Sequence, residues 1–135
     1  MISNIMIIDD NKIDLFISQK IIEKYNPEIK IKTYTNAISA LDYLKISTLK
    51  TNLKTIVTPD LILLDINMPQ MDGFEFIEAF KQINLDINKD IKVFMLSSSL
   101  YPEDIKKAEH DICCSGYLNK PITVNKLRDI IEEHY

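Results

Sequence analysis

The chain has 135 residues, 46% of them hydrophobic, and a formal net charge of −4. That length suits one domain around one core, and the acidic balance argues against a nucleic-acid surface, which needs clustered Lys and Arg. No apolar run approaches a membrane span, and the short N-terminal apolar stretch ends in Asp9-Asp10 rather than at a signal-peptide cleavage site, so a cytoplasmic protein is expected.

Asn4 to Ile8 reads as a first strand. Ile13, Ile17, Ile21 and Tyr25 then recur at helical spacing, with Phe16 and Ile22 widening the stripe, and Pro27 marks the exit. Ile29 to Tyr34 alternates as a second strand. Asn36 is placed to cap a helix whose apolar face carries Ile38, Leu41 and Leu44. Lys45 to Pro59 mixes β-branched residues and Lys without a clean period. Leu61 to Leu64 is a third strand. Gly73 precedes a helix bearing Phe74, Ile77 and Phe80, with Phe76 beside them, and is expected to give backbone freedom at its start. Lys92 to Leu96 is a fourth strand, and Pro102-Glu103-Asp104 opens a helix, since Pro fits the first turn and acids favour the dipole. Gly116 to Leu118 is a very short fifth strand. Thr123 caps a last helix with Leu127, Ile130 and Ile131 inward. Five strands alternating with five helices imply an α/β fold, a parallel sheet covered on both faces. His110 and His134 lie in polar helical sequence and read as solvated. The adjacent Cys113 and Cys114 read as semi-buried thiols near a helix end, since neighbours pair poorly and no metal-type spacing is present.

Polar residues stand at four of these strand ends: Asp9-Asp10, Asp65, Ser97 and Lys120-Pro121. In a parallel α/β sheet, ligands bind outside the carboxyl ends of the strands, so these groups should share one crevice. Singly, each Asp is an ordinary helix cap. Together, three carboxylates repel one another. A hard divalent cation resolves that repulsion, and oxygen ligands with retained waters suit magnesium.

Met6-Ile7-Ile8-Asp9-Asp10, the run Leu63-Leu64-Asp65-Ile66-Asn67-Met68-Pro69-Gln70-Met71-Asp72-Gly73, then Met95-Leu96-Ser97-Ser98 and Tyr117-Leu118-Asn119-Lys120-Pro121 closely resemble the receiver domains of bacterial two-component response regulators. The resemblance runs through essentially the whole chain. It implies a five-stranded, flavodoxin-like, doubly wound sheet in the order 2-1-3-4-5, and one receiver domain over residues 1–135 without an output domain, like the stand-alone chemotaxis regulators. It implies that Asp65 takes a phosphoryl group from a phosphohistidine on a sensor kinase or phosphotransfer protein. Asp10, Asp65 and the backbone carbonyl of Asn67 would hold Mg2+, with Asp9 acting through a water. Lys120 would pair with the phosphoryl oxygens, Ser97 would donate its hydroxyl to them, and Tyr117 would move as the switch aromatic. The Lys120-Pro121 bond would be cis. Such a protein is a signalling phosphoacceptor, an enzyme only in its own phosphotransfer and dephosphorylation.

Output is expected on the face of the fourth helix, fifth strand and fifth helix, which carries Lys106, Lys107, Asn125, Lys126 and Arg128. Two departures from the family stand out: the stretch from Lys45 to Pro59 is long, and Ser98-Ser99 follow Ser97 where a small and then a variable residue are usual. Competing readings fare worse. An Asp-nucleophile phosphohydrolase needs an acid two residues after the nucleophile, where Asn67 stands. A flavin carrier needs a Ser/Thr/Gly phosphate loop where Asp9-Asp10 stands. A receiver-like interaction module that never becomes phosphorylated is the remaining alternative.

Overall fold

The computed structural model describes residues 2–47, 57–83, 91–98, 102–110 and 114–135. Among them, five strands alternate with five helices: β1 (Asn4–Ile8), α1 (Lys12–Tyr25), β2 (Lys30–Tyr34), α2 (Ala37–Ser47), β3 (Leu61–Asp65), α3 (Gly73–Lys81), β4 (Lys92–Ser97), α4 (Pro102–His110), β5 (Cys114–Asn119) and α5 (Val124–His134). The strands are all parallel, in the order β2-β1-β3-β4-β5. This is the doubly wound architecture expected from the sequence.

Alternation along the central strands divides the core in two. Met6, Ile8, Ile62, Leu64, Val93 and Met95 face α2, α3 and α4, where they meet Leu41, Leu44, Phe76, Ile77 and Ala108. Ile5, Ile7, Leu61, Leu63, Phe94 and Leu96 face α1 and α5, where they meet Leu15, Ile22, Leu127, Ile130 and Ile131. Both faces of β3 are covered, so Leu61–Leu64 is a continuous apolar run with no exposed side chain.

Helix ends follow their local chemistry. Asn11 caps α1 by accepting the Ile13 and Asp14 amides, at 3.0 and 3.1 Å. Asn36 accepts the Ser39 amide at 2.8 Å, and Thr123 caps α5 through the Lys126 amide at 3.1 Å. Asp72 and Glu75 form a reciprocal capping box at α3.

Two helical faces differ from the sequence reading. In α1, Leu15, Ser18 and Ile22 are buried, while Ile13, Phe16 and Ile17 are 71%, 58% and 38% exposed. The row Ile13-Ile17-Ile21-Tyr25 advances by four residues, and each step overshoots a full turn by about 40°. A row that begins facing solvent therefore ends facing the sheet. In α2, Ala37, Ala40, Leu41 and Leu44 make the buried face and Ile38 is exposed. Two alanines let that helix approach the sheet more closely than a bulkier residue would.

Lys45 to Ser47 extend α2, and residues 48–56 lie outside the described residues. The far side of that connection is tied back: Tyr43 Oη donates to the Val57 carbonyl at 2.8 Å and accepts the Val57 amide at 3.0 Å. β5 is longer than expected, because it begins at Cys114 through a register shift: Val93 pairs with Cys114, but Phe94 pairs with Gly116. Cys114 therefore sits on a strand rather than near a helix end, its Sγ donating to the Gly116 carbonyl at 3.1 Å; Cys113 lies outside the described residues. His134 is half-buried rather than fully solvated, its ring edge-on to Phe94 at 5.2 Å between centroids. His110 is exposed as expected.

At the amino ends of the strands, Asp60 gathers separate parts of the chain. Its carboxylate accepts the Ser3 and Asn4 amides, at 2.8 and 2.9 Å. Its carbonyl accepts the Lys92 amide at 3.1 Å and the Tyr135 hydroxyl.

Neither glycine has a positive φ; each is needed for space. A Cβ on Gly116 would stand 2.7 Å from Cε1 of the Phe94 ring. Phe94 is 4% exposed and has no open side to retreat toward. Gly116→Ala is expected to cost about 1–3 kcal/mol in chemical denaturation, and a second change, Phe94→Leu, should recover part of that cost. An alanine variant as stable as the parent would contradict the contact.

Candidate functional site

The carboxyl ends of β1, β3, β4 and β5 meet at one rim. Ile8 and Leu64 are paired neighbours, as are Asp65 and Leu96, and Ser97 and Asn119. These pairings carry Asp9, Asp65, Ser97 and Lys120 to a common level. Backbone bonds lock the last three together: the Ile66 amide donates to the Leu96 carbonyl at 3.1 Å, and the Lys120 amide to the Ser97 carbonyl at 3.0 Å. The Lys120-Pro121 peptide is cis.

Asp9, Asp65 and Ser97 are buried, and Asp10 is exposed at the mouth. Asp9 accepts the Asn11 amide through Oδ1 at 2.9 Å. Its Oδ2 is fully buried and receives no hydrogen bond, although the Lys120 ammonium stands 2.8 Å away. That pair has the distance of an ion pair without the direction of a hydrogen bond. Carboxylate oxygens of Asp9, Asp10 and Asp65 lie within 4.8 Å of one another.

The Lys120 ammonium also contacts Asp14 Oδ2 at 3.1 Å and Asp65 Oδ1 at 3.4 Å. Burial alone would pull the lysine pKa down, but Asp9, Asp65 and Asp14 more than reverse this and raise it. Burial pushes the Asp65 carboxyl up to about 7, with the Asp9 charge adding and Lys120 opposing. One ammonium thus does not balance the acids around it. A buried oxygen without a donor, beside two further carboxylates, is the donor set a hard divalent cation takes.

α3 begins directly against Asp65. The Gly73 amide donates to the Ile66 carbonyl at 2.8 Å. A Cβ on Gly73 would lie 2.8 Å from the Asp65 carbonyl oxygen and 3.0 Å from Met95 Cε. Close approach, not the backbone freedom expected from sequence, requires glycine there. In the intervening turn Met71 N–H donates to the Pro69 carbonyl at 2.8 Å across Gln70, whose φ is 69°. Gln70 is a non-glycine residue in the left-handed region, so the loop beside Asp65 carries local strain. Asn67 is exposed, two residues beyond Asp65.

A response regulator receiver domain profile matches residues 5–132. The chain belongs to the response regulator receiver family. A two-component response regulator from Cytophaga hutchinsonii superposes with a TM-score of 0.85 at 32% identity, covering 98% of this chain and 96% of that one. A response regulator receiver protein from Dyadobacter fermentans DSM 18053 gives 0.81 at 30%, covering 97% and 96%. The cyclic di-GMP phosphodiesterase response regulator RpfG of Xanthomonas campestris pv. campestris (strain 8004) is 29% identical over 93% of this chain. That match spans 30% of the length of RpfG, and the chain covers 20% and 13% of two further curated relatives. Among the described residues, no helix of this receiver is long and apolar enough to cross a membrane.

Of the site residues singled out in the sequence, Asp9, Asp10, Asp65, Ser97 and Lys120 stand at this rim, and Asn67 follows Asp65 by two residues, while Tyr117 lies further back along β5, opposite Met95. Ser98 is exposed, and Ser99 lies outside the described residues. Tyr117 is half-buried against the α2-α3-α4 side of the core. Sequence reasoning missed Asp14 and Gln70. Asp14 sits five residues after Asp9 on the face of α1 turned toward Lys120, and its position in the first turn resembles an ordinary helix-dipole acid. Gln70 carried no signal, since a left-handed turn residue is usually glycine or asparagine.

The raised Asp65 pKa sets a pH dependence. An unfolded aspartate ionises near 3.8, whereas folded Asp65 holds its proton up to about 7. In metal-free protein this group therefore favours the folded state at low pH and loses that contribution as pH rises through about 7. Asp65→Asn, which cannot ionise, is expected to be more stable than the parent near pH 8 without metal, on the order of 2 kcal/mol, with the gap closing toward about pH 4. Denaturant titrations at both pH values check this; equal stabilities near pH 8 would contradict it.

Proposed function

We propose that this receiver takes a phosphoryl group from a phosphohistidine onto Asp65, with magnesium, and signals through Ser97 and Tyr117. The observation that carries the reading is the convergence of Asp9, Asp10, Asp65 and Lys120 at the carboxyl ends of β1, β3 and β5, in a chain of the receiver family.

A carboxylate oxygen of Asp65 attacks the phosphorus. The phosphorus–nitrogen bond breaks, its electron pair stays on the imidazole nitrogen, and an acyl phosphate forms on Asp65. Asp10, Asp65 and the Asn67 carbonyl would hold the magnesium, with Asp9 acting through a water; the bound cation supplies positive charge to the phosphoryl oxygens. Lys120, already beside Asp65, would pair with those oxygens as well. Burial of Asp65 strengthens each of these interactions by excluding water.

The switch rests on position. Ser97 ends β4 and Tyr117 lies on the adjoining strand, two residue pairs before it, opposite Met95. A phosphoryl group on Asp65 offers acceptor oxygens that the Ser97 hydroxyl can reach, and favours whichever conformation provides that contact. Output then passes through the face of α4, β5 and α5. Lys106, Asn125 and Arg128 are exposed there. Lys107 instead lies 4.3 Å over the Phe74 ring toward α3, and Lys126 is engaged by the Asn119 and Pro121 carbonyls. The donor is a sensor histidine kinase or phosphotransfer protein and the target a protein, with no part for nucleic acid or membrane. In this reading residues 1–135 act as one cytoplasmic receiver domain, a phosphoacceptor rather than a turnover enzyme.

Incubation with acetyl phosphate and magnesium should add one phosphoryl mass to the protein and none to Asp65→Ala; equal adducts would sink the assignment, and no adduct on either would leave the phosphorylation-independent module as the reading. Asp10→Asn should weaken magnesium binding about tenfold or more, the loss of one charged contact of roughly 1.5–3 kcal/mol. With beryllofluoride and magnesium, amide shifts should change at Tyr117 and along α4. Silence there, with changes confined to the rim, would reject the switch.

A further inference from the structure

Lys120 is shared with a carboxylate that lies outside the acidic cluster. Its ammonium donates a hydrogen bond to Asp14 Oδ2 at 3.1 Å, across 106 positions of sequence. The distances to Asp9, Asp14 and Asp65 are 2.8, 3.1 and 3.4 Å, so the acid proposed to carry the phosphoryl group is the farthest of the three. Asp14 does not line the metal cluster. It stands in the first turn of α1, its amide held by the Asn11 cap at 3.1 Å, and its side chain is 35% exposed. A cavity of about 10 Å³, bordered by Asp14, Ser18, Lys120 and Pro121, adjoins the pair. That is near the volume one water needs.

We propose that Asp14 is a positioning residue that holds the Lys120 ammonium toward α1 and competes with the phosphoryl group on Asp65 for it. The inference rests on the phosphoacceptor reading. A phosphoryl oxygen on Asp65 requires a donor within hydrogen-bond reach. Lys120 supplies it by moving toward Asp65, which lengthens its bond to Asp14. The Asp14 pair is therefore a brake on the phosphorylated state, and removing the carboxylate releases it. Asparagine keeps the size and a neutral acceptor while losing the charge, which separates competition from support. A residue that merely supported Lys120 would weaken phosphoryl binding when changed; a competitor strengthens it.

The test is an amide-shift titration of beryllofluoride at saturating magnesium. Asp14→Asn and Asp14→Ala should each bind about threefold more tightly than the parent, the scale of a partly exposed ion pair. The gain should vanish in a Lys120→Ala background titrated over a wider range. Unchanged or weaker binding by Asp14→Asn overturns the proposal. So does a gain that persists without Lys120, which marks plain repulsion between Asp14 and the anion. Failure of the parent itself to bind beryllofluoride overturns the phosphoacceptor reading, whereas binding by the parent with no effect at Asp14 overturns this inference alone.

Discussion

One ammonium is set among more negative charge than it can neutralise, and the rest of the site follows from that imbalance. Lys120 stands within 3.4 Å of Asp9, Asp14 and Asp65, and Asp10 lies at the mouth. Burial forbids water from making up the deficit at Asp9 and Asp65. The unphosphorylated site is thus electrostatically unsatisfied. It is poised to take up whatever brings positive charge. The folded protein tolerates this because two full apolar layers brace the sheet beneath the rim.

The sheet makes this juxtaposition possible. Parallel strands all end on the same side, and the register aligns Ile8 with Leu64, Asp65 with Leu96, and Ser97 with Asn119. A one-residue slip in any of these pairings would turn a site residue to the opposite face. The distinct packing of β1, β3 and β4 side chains against the helices on each face opposes such a slip. Phe94 against Gly116 fixes the register of β5 after its shift, and so fixes where Lys120 falls. Packing at a distance from the chemistry thereby sets the position of the lysine.

The fold was legible because its signals are local and repeated. Short apolar runs gave the strands, while Asn36 and Thr123 marked helix starts that the structure places there. The site was legible because its residues stand at strand ends, where topology alone brings them together. The misreadings share a cause. The row from Ile13 to Tyr25 in α1 drifts around the helix, and only packing against the sheet selects Leu15, Ser18 and Ile22 as the buried face. Cys114 opens a strand that has no apolar run, because an edge strand is paired on one side and half-exposed. Gly73 looks in sequence like a flexible residue, and only the path of α3 past Asp65 shows that the missing Cβ is what matters. Asp14 is a partner of Lys120 by tertiary contact alone.

The Asp60 clasp lies at the opposite pole of the sheet from the acidic crevice. It draws Ser3, Asn4 and the Tyr135 side chain to one residue, so the two ends of the described chain lie near each other at that pole. A fluorophore, affinity handle or further polypeptide joined at either end would project away from Asp65 and leave the rim accessible. A short linker between the ends would span them without crossing the sheet, which makes this receiver a natural scaffold for circular permutation.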